Sequence, residues 1–150
     1  MKTKLTITII FLFISSTLYI GCKKYEEGPA MSLRTKKGRV ANKWKVDAYL
    51  KNGTDMISDY RMATASELFE MTKDGNYTTT VTYTPAFGGG TYTDNGTWEF
   101  INDKVDIKTT SSVSSTNVDT IHITRLKNKE MWHSFMLGSD KYEVQMVPAE

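Results

Sequence analysis

Glu67-Leu68-Phe69-Glu70-Met71-Thr72-Lys73-Asp74-Gly75-Asn76-Tyr77-Thr78-Thr79-Thr80-Val81-Thr82-Tyr83-Thr84, residues 67–84, is the stretch from which the fold can be read. Phe69 and Met71 fall on one face of an extended segment, and Tyr77, Thr79, Val81 and Tyr83 fall on one face of the next. Threonines fill the opposite face, where a side chain branched at Cβ suits a solvated sheet. Between the two runs, Lys73-Asp74-Gly75-Asn76 has the composition of a hairpin turn, and Gly75 can adopt the positive φ that such turns need. Two antiparallel strands are therefore expected, each with one buried face.

The same period of two continues on both sides. Upstream, Trp44, Val46, Ala48 and Leu50 alternate with Lys43, Lys45, Asp47 and Tyr49, which predicts a first half-buried strand. A looser stretch through Asn52-Gly53, Asp55 and Asp59 follows, and the second strand is expected near Glu67–Thr72. Downstream, Tyr92, Gly96, Trp98 and Phe100 mark the fourth strand, with a bulge expected near Asp94-Asn95-Gly96. Val105 and Ile107 mark the fifth, and Thr109–Asn117 reads as a serine- and threonine-rich loop. Ile121 and Ile123 define the sixth, Met131, His133, Phe135 and Leu137 the seventh, and Tyr142, Val144 and Met146 the eighth. Tight turns separate them and no internal helix is convincing. The pattern predicts an all-β, eight-stranded antiparallel up-and-down barrel over residues 43–150. Closing the sheet removes its edges, and eight strands leave room for side chains or one small ligand. A β-sandwich is the alternative, because periodicity does not distinguish closure from stacking.

Residues 1–21 have the organisation of an export signal. Lys2 and Lys4 precede an apolar run from Leu5 to Ile20 that is too short to span a bilayer comfortably. Those two lysines account for the formal net charge of +2, so from Cys22 onward acidic and basic side chains balance. A nucleic-acid partner is not expected of such a chain. Cys22 is the only cysteine and cannot form an internal disulfide. Leu18-Tyr19-Ile20-Gly21-Cys22 resembles a bacterial lipobox, with Tyr19 where an aliphatic residue is usual. The resemblance implies that Cys22 is acylated, with fatty chains such as palmitate, and becomes the first residue of the mature protein. More than one chain gives stable anchoring. Lys24, Glu26 and Glu27 beside it resemble the lysine-plus-acidic export signals of Bacteroidetes surface lipoproteins, implying outer-membrane display; a solvated spacer facing the periplasm is the alternative. Residues 22–42 form the tether. Gly28-Pro29 interrupts it, and one short helix is expected over Met31–Asn42, capped by Ser32, with Leu33, Lys37, Val40 and Ala41 along one side.

Asn42-Lys43-Trp44-Lys45, Phe69…Asp74-Gly75-Asn76-Tyr77, Gly96-Thr97-Trp98-Glu99-Phe100 and the closing Tyr142…Pro148 together resemble the bacterial lipocalin-like lipoproteins. Asn42 stands where lipocalins usually carry glycine. The resemblance implies a barrel, with the first tryptophan near its entrance and a ligand cavity inside, and it transfers no binding residue.

No catalytic, cofactor or metal site is expected. His122 belongs on the outer face, while His133 shares a face with Met131, Phe135 and Leu137 and is expected to be a core residue with one satisfied hydrogen bond. Gly88-Gly89-Gly90 lacks the Lys-Ser/Thr that a phosphate cradle needs, and the acidic residues read as scattered over turns. Phe87, at the tip of the Tyr83–Gly88 loop, could gate a cavity, touch a partner or fold back on the rim. The expected function is non-catalytic binding of a small hydrophobic ligand by a membrane-anchored barrel. The alternative is an envelope interaction or inhibitor module with a solid core.

Overall fold

In the computed structural model, which describes residues 33–114 and 116–150, the chain runs α1 (Lys36–Val40), β1 (Lys43–Lys51), β2 (Thr54–Asp55), α2 (Ile57–Ala63), β3 (Thr64–Met71), β4 (Asn76–Tyr83), β5 (Thr91–Ile101), β6 (Asp106–Ser111), β7 (Val118–Leu126), β8 (Met131–Leu137) and β9 (Asp140–Pro148). The export segment, Cys22, the Lys24–Glu27 signal and Ser32 lie outside the described residues.

From β3 to β9 each strand pairs antiparallel with the next, and β1 pairs with both β3 and β9. The β1–β9 ladder, from Trp44↔Pro148 to Lys51↔Tyr142, closes the sheet into an eight-stranded barrel and excludes the sandwich. The expected hairpin is present: Met71 pairs with Tyr77 and Phe69 with Thr79. Gly75 turns at φ +92°, and a Cβ there would lie 3.2 Å from the Trp98 carbonyl oxygen. Gly96 is needed for contact rather than for turning. A Cβ would stand 2.1 Å from the Thr110 carbonyl oxygen and 2.7 Å from Tyr77 Cε1, so only glycine lets β5, β6 and the Tyr77 ring approach.

One end of the barrel is packed shut. Trp44, Met71, Trp98, Ile107, Ile123, Leu126, Met131 and Met146 are buried there, contributed by every barrel strand except β4, whose Tyr77 joins the same cluster. Such side chains stabilise by roughly 1.5–3 kcal/mol each when fully buried. α1 lies across this end. Trp44 Nε1 donates to the Val40 carbonyl at 2.8 Å, and an Arg39 guanidinium nitrogen donates to the Leu126 carbonyl at 3.1 Å. Trp44 therefore sits at the closed end, not near the entrance.

Several expectations are corrected. The tether helix covers only Lys36–Val40, with Thr35 Oγ1 accepting from Gly38 N as its cap. Leu33 and Lys37 are exposed, so the expected apolar side reduces to Val40. On β1 the register shifts between Val46 and Ala48. This bulge turns Tyr49 inward in place of Ala48 and Leu50, as its ring contacts with Tyr60 and Tyr142 show. No bulge interrupts the β4–β5 register at residues 94–96; the irregularities fall instead at 46/48, 64/66 and 123/125. β6 begins after Val105 and continues to Ser111, shortening the expected loop. α2 is an internal helix within the looser stretch, and β3 begins at Thr64. β1 meets β3 only over Lys43–Lys45, and α2 packs against both strands above that point, covering the remaining edge. Thr84 Oγ1 and N donate to the Met62 and Ala63 carbonyls, binding α2 to the β4–β5 connection.

Candidate functional site

Because connections alternate between barrel ends, β2 with α2, residues 84–90, residues 112–114 and 116–117, and the Gly138-Ser139 turn all lie at the end opposite α1. The interior behind them is not solid. A cavity of about 660 Å³ runs from buried His133 and Met146 up to exposed Tyr92, Asn117, Asp119 and Leu137 at the rim. It therefore opens to solvent at this end.

Its walls follow from the pleat, since alternate residues of each strand point inward. Phe69 on β3, Ile121 on β7, Phe135 on β8 and Met146 on β9 supply an apolar surface. An aromatic series continues beside it. Phe135 stacks on Tyr142 with ring centroids 5.3 Å apart, Tyr142 meets Tyr49 at 5.8 Å, and Tyr49 stacks on Tyr60 of α2 at 5.2 Å. The helix thus places one ring over the barrel interior, and the Tyr60 hydroxyl donates to Glu67 Oε2. Burial, reinforced by that carboxylate, raises the Tyr60 phenol well above its usual range.

The facing wall is polar. Tyr77 OH and Ser111 Oγ donate to the two oxygens of Asp94, each at 2.6 Å. The Ser111 bond, then the Tyr77 bond, holds the Asp94 carboxyl below its ordinary value. Tyr77 is raised by burial and by Asp94. Glu67, Asp94 and Asp119 all line the cavity.

His133 is in the core as expected, but its Nδ1 has no hydrogen-bond partner among the described residues. Burial lowers its pKa to about 4, so the ring is neutral at physiological pH. His122 is on the outer face as expected, with Nδ1 2.6 Å from Asp106 Oδ1. Asn102 and His122 hold Asp106 below its ordinary value despite the opposing effect of burial. Among the described residues no group of three or more His, Cys, Asp or Glu side chains converges to hold a metal. Phe87 closes the short 3-10 turn Pro85–Phe87 and is 61% exposed at the open rim. It is neither in the cavity lining nor folded back into the core.

The lining acids were missed in the sequence, although a signal was present. Glu67 shares the period-two face of Phe69 and Met71, Asp94 that of Gly96 and Trp98, and Asp119 that of Ile121 and Ile123. Acids in step with an inward face are the mark of a polar interior.

No family model matches the sequence, and no curated protein matches it significantly. Among solved structures, the chain is similar to a lipocalin-like protein from Bacteroides uniformis, with a TM-score of 0.52 and 15% sequence identity, covering 75% of this chain and 100% of that one. The likeness establishes a lipocalin-like fold.

Proposed function

We propose that this protein is a lipid-anchored envelope lipoprotein whose lipocalin-like barrel binds a small hydrophobic ligand without transforming it. The observation that carries the reading is the cavity of about 660 Å³, open at one end and walled by Phe69, Ile121, Phe135 and Met146. A concave, mostly apolar pocket with a few placed polar groups is the usual form of a small-molecule site. Tyr77 and Ser111 direct their hydroxyls to Asp94, an arrangement that fixes the polar wall of the cavity. The cavity weighs against the interaction-module alternative, which assumed a solid interior.

Anchoring rests on the lipobox-like residues ending at Cys22, and surface display on Lys24, Glu26 and Glu27. Ligand binding is tested with the neutral fluorophore N-phenylnaphthylamine, which should bind saturably at one site per chain. Thr109→Trp, filling the cavity from β6, should abolish that binding; non-saturable fluorescence unaffected by the substitution would reject the reading. For the anchor, Cys22→Ala should end labelling by fatty acid and move the protein out of the membrane fraction. Protease added to intact cells separates display from a periplasmic orientation.

A further inference from the structure

The cavity has a sign as well as a volume. Among the described residues three acidic side chains line it, Glu67, Asp94 and Asp119, and no lysine or arginine does. Of the nearby basic residues, Lys45 and Arg61 line a separate cleft of about 210 Å³ between β1 and β3, Lys141 lines a groove on the outer face, and Lys51, over the Tyr142 ring, is paired with Asp140 at 2.7 Å. We infer that the ligand is an apolar molecule bearing a cationic, hydrogen-bond-donating head, and that anionic amphiphiles of the fatty-acid type are excluded; this rests on the cavity being the ligand site.

Two independent features support the same chemistry. Asp94 accepts from Tyr77 OH and Ser111 Oγ, one at each oxygen at 2.6 Å, and from the Asn95 backbone, and a carboxylate with about four acceptor sites can take a further donor. An incoming donor would meet an acceptor already held in place. His133 lines the same cavity at 8% exposure, and its buried Nδ1 has no hydrogen-bond partner among the described residues. Being neutral, it offers no counter-charge to an anion. Phe69, Tyr77, Tyr92 and Phe135 are in the lining, and an aromatic π face attracts a cation and repels an anion. An anionic head would enter a partly desolvated space with like charges and, among the described lining residues, no cationic partner, which is costly.

The test displaces bound N-phenylnaphthylamine with two amphiphiles of equal chain length, decylammonium and decanoate, both below their micelle-forming concentrations, at neutral pH and at low salt. Decylammonium should displace the probe at a concentration lower by about tenfold or more. Asp119→Asn, an exposed position with no structural bond to lose, should narrow that ratio. Glu67→Gln, whose amide oxygen still accepts from Tyr60, should narrow it further. Equal displacement, a preference for decanoate, or a ratio unchanged in both variants would overturn the inference while leaving the ligand site intact. Absence of saturable probe binding would remove the site itself, and the inference with it.

Discussion

Replacing His133 by phenylalanine should remove the main source of mild-acid instability in this barrel. The imidazole is buried against Phe135, with ring centroids 6.4 Å apart, and its pKa is lowered from 6.5 to about 4 by burial. The unfolded chain therefore binds a proton that the folded chain refuses. Stability is complete above the unfolded pKa of 6.5, declines as pH falls through the interval down to about 4, and is level with respect to this residue below that. At about pH 4.5 the linkage amounts to roughly 2.5 kcal/mol, and at about pH 7.5 it is negligible. Urea unfolding followed by tryptophan fluorescence at those two pH values measures the wild-type drop. His133→Phe keeps an aromatic ring over Phe135, has open cavity beside it to accommodate the larger side chain, and carries no polar atom to leave unpaired. Its stability near neutrality should equal or exceed that of the wild type. Its drop between the two pH values should be smaller by roughly 2 kcal/mol or more. The depressed carboxyls, Asp94 among them, lose their contribution at lower pH in both proteins, so the difference between the two isolates His133. An unchanged drop in the variant, or a His133 ring that titrates near 6.5 by NMR, would refute the reasoning.

Two structural predictions accompany it. Trp44→Ala empties the plug beneath α1, where Trp44 is fully buried and bonded to Val40, and should cost about 3–5 kcal/mol in chemical denaturation. Gly96→Val forces a Cβ against the Thr110 carbonyl at a position where 2.1 Å is available. It should separate β5 from β6 and be seen as early hydrogen exchange at Thr97 and Thr110, which pair across those strands, whereas native-like protection there would refute the close-approach role.

Much of the barrel was legible because strand alternation is a local property. The 67–84 hairpin, the inward His133 and the outward His122 each follow from a few residues of sequence and a period of two. The three bulges were not legible. A bulge inserts one residue into one strand only, and which strand takes it depends on matching lengths around a closed sheet. The bulge at 46/48 thus exchanged Ala48 and Leu50 for Tyr49, and with Tyr49 came the aromatic path to Tyr60. α2 was hidden for a related reason. Its seven residues carry no strong helical signature, and none of them is buried; the helix forms where β1 and β3 part and an edge needs covering.

By itself the sequence determined the approximate strand positions, most of the turns and the side of the sheet for residues away from the bulges, because those depend on neighbours one and two places away. Only the tertiary structure decided that β1 returns to β9, that the large side chains gather at one end, and that a hollow with acidic walls remains at the other. Closure and emptiness are sums over all eight barrel strands, fixed by how their side-chain volumes fill a common interior, and no single strand records them.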